Sequence, residues 1–218
     1  VNFLRDERED DGDDRRHECP ERKRHAAGGC DLAGALAGTA FFTLRDAGTI
    51  ARGAGDGLCH IVPVIGGERE YSDTGRLRYA GVLRALTERG MTFDADRYYK
   101  TAHYSFDEGY TAMAELLRET SEITAVFAMA DVIAIGAMRA LADAGLRVPE
   151  DVSIIGYDGL KIGSFYTPKL TTIAQHVELL ARRGFDILMR CMEQGAPARH
   201  VTVPFTLSVR ESVRNITE

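Results

Sequence analysis

From about residue 60 onward, short apolar runs alternate with longer segments in which apolar residues recur every three to four positions. The short runs predict strands at 60–65, 97–102, 124–129, 148–158 and 169–173. The longer segments predict helices at 72–89, 105–119, 132–144 and 177–194. A pair of short strands is expected between 199 and 212. Strands that alternate with helices of this length predict an α/β fold with a parallel, doubly wound sheet.

Several single residues refine these elements. Pro63 removes a backbone donor from the first strand, which predicts a sheet edge or a distortion there. Ser105 precedes Glu108 by three positions, the spacing of a capping box at a helix start. Asp131 is expected to cap the next helix. Gly136, inside that helix, predicts close packing of the helix against the sheet.

The first 59 residues differ from the rest of the chain. Charged residues dominate up to about Ala27, a composition that usually stays disordered. The stretch 28–59 is rich in Ala, Gly and Arg without a clear period. We therefore predict that residues 1–59 are an atypical, largely disordered segment and that residues 60–218 form the folded core.

Composition and charge limit the classes of function. The 218 residues are 44% hydrophobic and 28% charged, as in an ordinary globular protein. A formal net charge of −6 disfavours autonomous binding to nucleic acid, because phosphate contacts need clustered Lys and Arg. The sequence contains no apolar run of about eighteen residues, so we predict no membrane-spanning helix. The first residues lack the apolar core of a signal peptide, so we expect a cytoplasmic protein.

Few residues have the spacing of a metal site or an enzyme motif. The cluster of His17, Cys19, His25 and Cys30 matches no common zinc finger, and free thiols are favoured over metal. Phosphate-loop, dinucleotide-binding, nucleophile-elbow and zinc-protease motifs are not found. The charged triplet at 68–70 is better explained by a solvated loop than by a catalytic cluster. We expect no catalytic residues and no cofactor.

One strand ends on a carboxylate, since the apolar run Val152–Ile155 leads through Gly156 and Tyr157 into Asp158. Ligands of open α/β sheets bind at the carboxyl ends of the strands. Asp158 is therefore a candidate ligand residue. The local sequence alone equally allows an aspartate that caps the following turn.

At this point several motifs resemble a known family. The segment 124–175 closely resembles the effector-binding core of the LacI/GalR bacterial transcription regulators, and the segments 70–86 and 201–212 fit the same pattern in the same order. The resemblance implies a periplasmic binding protein type I-like fold, of which this chain holds mainly the carboxy-terminal lobe. It also implies a small-molecule effector, commonly a sugar, and a homodimer.

The resemblance does not extend to the start of the chain. The first 59 residues resemble neither the amino-terminal lobe of the family nor its DNA-binding headpiece. The segment 43–55 resembles the opening of the headpiece, but no recognition helix follows it. Operator DNA is therefore expected to be bound only through a headpiece that this chain lacks. A truncated or frame-disrupted relative is our hypothesis for this departure.

The resemblance also implies the site residues. Asp158 matches a carboxylate that accepts hydrogen bonds from effector hydroxyls, and Arg78 matches an effector-binding arginine. Tyr104 aligns with an aromatic platform, and Thr74 adds a hydroxyl to the same rim. Gln175 lies at the crossing between lobes, where it is expected to contact the effector from the hinge side. Paired polar groups with one aromatic face suit a sugar.

Other interpretations remain open for these residues. Arg78 could be a solvated helix residue, yet a cation near a helix start costs about 0.3–1 kcal/mol, which predicts a partner such as Asp158. Tyr104 could be a half-buried residue at a strand end. Ala130 stands where family members often carry Asn, which indicates an effector unlike the common sugars.

Two further functions compete with the regulator. The first is an exported sugar-binding protein of the same fold. The second is a non-functional fragment of a regulator, because a cleft with one wall buries too little of its ligand.

Overall fold

The computed structural model describes residues 61–214, except 71, 89, 196 and 198–200. Its strands, in chain order, are β1 (Val64–Gly66), β2 (Tyr99–Thr101), β3 (Ala125–Ala128), β4 (Ser153–Asp158), β5 (Thr171–Ala174) and β6 (Thr206–Ser208). Its α-helices are α1 (Asp73–Thr87), α2 (Ala95–Tyr98), α3 (Phe106–Glu119), α4 (Asp131–Asp143) and α5 (Val177–Gln194). A short 3₁₀ turn covers Lys161–Ser164.

The strands form one sheet in the order β2-β1-β3-β4-β5-β6. All neighbours are parallel except β6, which is antiparallel to β5. The predicted doubly wound α/β fold is confirmed. Pro63 was predicted to mark either a sheet edge or a distorted strand. The strand that follows it, β1, lies between β2 and β3, so the sheet edge is wrong and the distortion is correct. Ile61 makes an isolated bridge to Ile123, and the ladder resumes at Val64.

Apolar side chains alternate between the two faces of the sheet. One core lies under α1 and contains Val64, Val82, Leu86, Phe127, Ile155 and Ile173. The other lies under α3 and α4 and contains Ile65, Met113, Val126, Ile133, Leu141 and Ile154. The sheet is therefore buried on both sides, as the near-continuous apolar strands predict.

Two glycines let α3 and α4 approach each other closely. A Cβ on Gly109 would lie 2.8 Å from the Cα of Ile133. A Cβ on Gly136 would meet the carbonyl oxygen of Phe106 and lie 2.9 Å from the backbone nitrogen of Tyr110. The predicted packing partner of Gly136 is therefore wrong: this glycine packs one helix against another, because the facing backbone belongs to α3.

Several predicted strand regions are longer than the strands observed, and in the region predicted at 148–158 the strand begins only at Ser153. Asp94 caps the single turn of α2, so the strand predicted at 97–102 is reduced to β2. Between residues 201 and 214 the chain forms β6 alone, where a pair of strands was predicted. At α2 a local side chain satisfies the backbone, since Asp94 accepts the N–H groups of Asp96 and Arg97. Between 201 and 214 the backbone bonds to distant residues instead, as Arg210 N–H does to the Thr171 hydroxyl at 2.9 Å.

The last helix has the predicted bounds and an unusual exposure. None of the residues of α5 is buried. Exposed apolar side chains along it include Val177, Phe185, Leu188 and Met192. Within the described part of the chain, none of the helices is long and apolar enough to span a membrane.

Replacing Gly136 by Ala is expected to destabilise the protein. Its new Cβ would overlap the α3 backbone, so the free energy of unfolding should fall by about 1–3 kcal/mol in a urea titration. Gly184→Ala is the matched control, because a Cβ there meets open space within α5. That control should be neutral or gain up to about 1 kcal/mol. Equal effects of the two substitutions would contradict the close helix contact.

Candidate functional site

The candidate site lies where the carboxyl ends of the parallel strands meet. From β1 the chain continues to β2 on one side of β1 in the sheet. From β3 it continues to β4 and β5, which lie on the opposite side. This reversal between β1 and β3 is the switch point at which open α/β sheets bind ligands. The residues predicted for the site follow these strand ends.

Arg78 on α1 reaches across this edge. Its guanidinium lies 3.8 Å from the ring centroid of Tyr157. Its Nη1 donates to the carbonyl oxygen of Met129, just after β3, and its Nη2 donates to Oδ1 of Asp158 at 3.2 Å. Only 9% of the side chain is exposed, so Arg78 is not a solvated helix residue. Asp158 is the partner predicted for a cation near a helix start.

The backbone turns sharply at the end of β4. Asp158 has φ of 123° and Gly159 has φ of 78°. A side chain at Gly159 would lie 2.6 Å from the Cα of Ala174, so the second position needs glycine. A residue such as Asp158 in this conformation costs about 1–3 kcal/mol and persists where the surroundings hold it. The turn brings its carboxylate towards α1.

Three donors surround the Asp158 carboxylate. Gln175 donates from Nε2 to Oδ1 at 2.6 Å, beside the bond from Arg78. Burial raises the pKa of Asp158 above its ordinary value, although Arg78, Gln175 and the backbone N–H of Asp131 each act to lower it. The carboxylate remains 24% exposed. It therefore keeps a solvent-facing side at which hydroxyl or amide groups of a ligand could donate.

Tyr104 and Thr74 lie at the same edge without contacting the Asp158 carboxylate. The Tyr104 ring covers the end of β1, since a Cβ at Gly67 would lie 2.6 Å from the Tyr104 hydroxyl oxygen. Tyr104 is 40% exposed and has φ of 57°. Thr74 is exposed in the first turn of α1, four residues before Arg78. The structure thus joins Arg78, Asp158 and Gln175 directly, and it places Thr74 in the first turn of α1 and Tyr104 in the loop after β2.

Asp131 does not cap α4, so that prediction is wrong. The capping position is Ala130, which makes no side-chain capping bond. The buried Asp131 carboxylate instead accepts the N–H of Leu160 at 2.6 Å and the hydroxyl of Thr172. Burial raises its pKa to about 6. Asp131 thereby ties the start of α4 to β5 and to the loop after Asp158.

Two cavities lie near α5. A cleft of about 510 Å³ opens beside Asp158 and is bounded by Ala174, the start of α5 and Pro204. A cavity of about 410 Å³ lies between α5 and 201–204, and its lining includes none of the predicted site residues. Because Asp158 lines the first cleft and no predicted site residue lines the second, the cleft at Asp158 is the better candidate for ligand binding.

Within the described residues no group of His, Cys, Asp and Glu is arranged to hold a metal ion. The His and Cys cluster at 17–30 lies outside the described residues.

Sequence reasoning missed several partners of the site residues. The Tyr157 ring lies beneath the Arg78 guanidinium. The only feature of the sequence that could have indicated this contact is the position of Tyr157 beside Asp158 in a buried strand.

Glu108 departs from the predicted capping box. Ser105 does accept the Glu108 N–H at 3.2 Å, but the Glu108 carboxylate binds the backbone N–H and ring of His103 instead of reaching back to Ser105.

The sheet topology and this edge define one lobe of a ligand-binding α/β protein. The family model described as "Periplasmic binding protein-like domain" matches residues 52–213. The chain therefore belongs to the periplasmic-binding-protein-like family, in the form that serves as the effector-binding core of LacI/GalR regulators. The resemblance found in the sequence is confirmed.

Individual relatives agree with this placement. The HTH-type transcriptional repressor PurR of Pasteurella multocida is 36% identical over 155 residues, which cover 71% of this chain and 46% of the repressor. The transcriptional regulator CelR–cellobiose complex superposes with a TM-score of 0.70 and 28% identity, covering 84% of this chain and 52% of that one. The lac repressor dimer bound to operator and the anti-inducer ONPF superposes with a TM-score of 0.70 and 27% identity. The match covers 82% of this chain and 59% of the repressor chain. The chain thus spans about half the length of the relatives it matches.

Asp131 should make stability depend on pH. Because its pKa is raised from 3.8 to about 6, the folded protein holds this proton more tightly than the unfolded chain does. The associated stability is present below about pH 4 and is lost as the pH rises through the folded-state pKa. Replacing Asp131 by Asn should remove this loss.

The relevant measurement is the free energy of unfolding of both proteins by urea titration between pH 4 and pH 7. The difference between the Asp131→Asn variant and the parent should move by about 2 kcal/mol in favour of the variant across this range. Parallel curves would show that Asp131 titrates normally.

Proposed function

We propose that the carboxyl edge binds a sugar-like small-molecule effector and that the intact protein is a LacI-type transcription regulator. Asp158 accepts hydrogen bonds from effector hydroxyls, and Arg78 donates to the same ligand while it holds Asp158. Gln175 contacts the effector from the β5 side. Tyr104 provides an aromatic face, and Thr74 contributes a hydroxyl at the rim.

The observation that carries this proposal is the hydrogen-bonded set of Arg78, Asp158 and Gln175. These side chains come from α1, β4 and the residue after β5, and they meet on one carboxylate oxygen. Preorganised groups lose little conformational entropy when a ligand binds. The Nε of Arg78 is buried without a hydrogen-bond partner in the described structure, which adds a donor to the same region.

The chemistry at this edge supports binding better than catalysis. Arg78 donates to Met129 and Asp158 and lies on the Tyr157 ring, and Asp158 is held by an ion pair. A general base must be free to take up a proton, and the Asp158 carboxylate is instead held by donors from Arg78 and Gln175. We therefore propose a non-catalytic site.

A sugar is favoured over other effectors by two observations. Carboxylate, guanidinium and amide groups next to an exposed tyrosine match the paired hydroxyls and apolar face of a pyranose. The similar regulator CelR was solved as a cellobiose complex. Ala130 removes a polar side chain from the end of β3, so a sugar that needs an amide there would bind less well.

DNA binding and dimerisation are proposed for the intact protein. The operator-bound lac repressor dimer shares the fold of this core. The net charge of −6 over the 218-residue chain disfavours phosphate contacts, so we assign operator contacts to a separate headpiece.

Ligand binding should raise the melting temperature of the 218-residue chain. We would screen mono- and disaccharides, with nucleobases as the comparison set, and follow unfolding by circular dichroism. A ligand at about 100 times its Kd should stabilise the fold by about 2.7 kcal/mol. If the chain unfolds cooperatively and no sugar raises its melting temperature, the proposed effector class is contradicted.

The Asp158→Asn variant tests the assigned carboxylate. Loss of a charge-assisted hydrogen bond of about 1.5–3 kcal/mol should weaken sugar binding roughly 10- to 150-fold in calorimetry. Asp151→Asn is the matched control, because Asp151 precedes the other end of β4 and pairs with Arg147 at 3.0 Å. It should leave the affinity unchanged. Equal losses in both variants would remove Asp158 from the site.

A further inference from the structure

One imidazole joins three elements at the β1 and β2 side of the edge. Nδ1 of His103 lies 2.7 Å from Oε2 of Glu108, in the first turn of α3. Its Nε2 lies 3.6 Å from Oε1 of Glu68, in the loop after β1. The backbone N–H of His103 also donates to Glu108. This Glu68–His103–Glu108 cluster links the loops that follow β1 and β2.

The cluster flanks the proposed aromatic platform on both sides. Tyr104 directly follows His103, and its ring covers Gly67, which directly precedes Glu68. Tyr104 also has φ of 57°, a conformation that non-glycine residues hold only where neighbouring contacts fix it. The contacts of His103 with Glu68 and Glu108 are therefore placed to hold the Tyr104 backbone and the strand end beneath its ring.

We propose that His103 is a positioning residue for Tyr104 and that its protonation sets how firmly this aromatic platform is held. A protonated imidazole donates from both ring nitrogens and so serves Glu68 and Glu108 together. A neutral imidazole has one N–H, so one glutamate loses its partner. This inference rests on the proposed function, in which Tyr104 is part of the site.

The charged surroundings favour the protonated form. Glu68 and Glu108 act directly on the imidazole, and both raise the pKa of His103 above its ordinary value of 6.5. Glu70 in the loop after β1 and Asp107 in the first turn of α3 carry the same sign of charge.

The nearby basic groups are engaged elsewhere. The Arg69 guanidinium lies 4.6 Å from the Tyr99 ring centroid and 5.1 Å from that of Tyr79. Lys100 on β2 is 2.6 Å from Glu119. The imidazole therefore faces carboxylates without a competing cation at contact distance among the described residues.

The pH range of the effect follows from the two pKa shifts. The His103 contribution is complete below about pH 6.5 and is lost as the pH rises through its raised pKa. The pKa of Glu108 is lowered by its bonds to His103. Its contribution is therefore lost only in stronger acid, when the pH falls through that lowered pKa. Between these limits the cluster is fully charged and Tyr104 is held.

The test uses a tryptophan reporter in the full chain without a ligand. The sequence contains no Trp, so Tyr104→Trp introduces its single indole. Acrylamide quenching of this indole should increase as the pH rises through the His103 midpoint. NMR titration of the unmodified chain gives that midpoint independently, and it should lie above about 6.5.

Variants in the Tyr104→Trp background assign the transition. His103→Gln should abolish it, and Glu68→Gln should shift its midpoint to lower pH. His176→Gln is the matched control, since His176 is an exposed imidazole at the far end of β5 that contacts Thr206 at 3.2 Å. It should leave the transition in place.

A quenching transition that survives His103→Gln would overturn the proposal, and so would an NMR midpoint at or below about 6.5. These readouts need no effector. Failure of every sugar to bind, with the pH transition present, would thus reject the proposed function alone. Sugar binding with no pH transition would reject the positioning role alone.

Discussion

The ion pair of the buried Arg78 and the partly exposed Asp158 is the interaction on which the carboxyl edge depends. Removing Asp158 would leave the Arg78 charge uncompensated, which costs about 3–5 kcal/mol in fully buried pairs and less where one partner is exposed. Arg78 also binds the carbonyl of Met129 and lies on Tyr157. One side chain from α1 thereby fixes the ends of β3 and β4, and the rest of the edge is arranged around it.

Two carboxylates near this pair have different roles because their surroundings differ. The bonds of Asp131 to Leu160 and Thr172 are internal, and the side chain is fully buried, so it orders the loop after β4. Asp158 is partly exposed and faces a cleft. The first is a structural link between elements, and the second is open to a ligand.

Backbone strain is concentrated at the same edge. Asp158, Tyr104 and His176 are the non-glycine residues with positive φ among those described. Asp158 ends β4, and Tyr104 and His176 lie within three residues of the ends of β2 and β5. Strained positions cluster at binding sites because the surrounding contacts must hold a geometry that the chain would not adopt alone. Here the contacts include Gln175 on Asp158 and the ring of Tyr104 on Gly67.

The sequence by itself determined the α/β class, the bounds of α5 and the carboxyl edge as the ligand side, and its resemblance to a known family pointed to Arg78 and Asp158. Apolar periodicity, strand ends and the cost of a cation near a helix start are local signals, so they are readable along the chain. The tertiary structure alone decided that Asp131 binds Thr172, that Gly136 faces α3 and that Glu108 turns to His103. These contacts join residues or loops whose approach depends on how the helices pack on the sheet, and no local pattern encodes that distance.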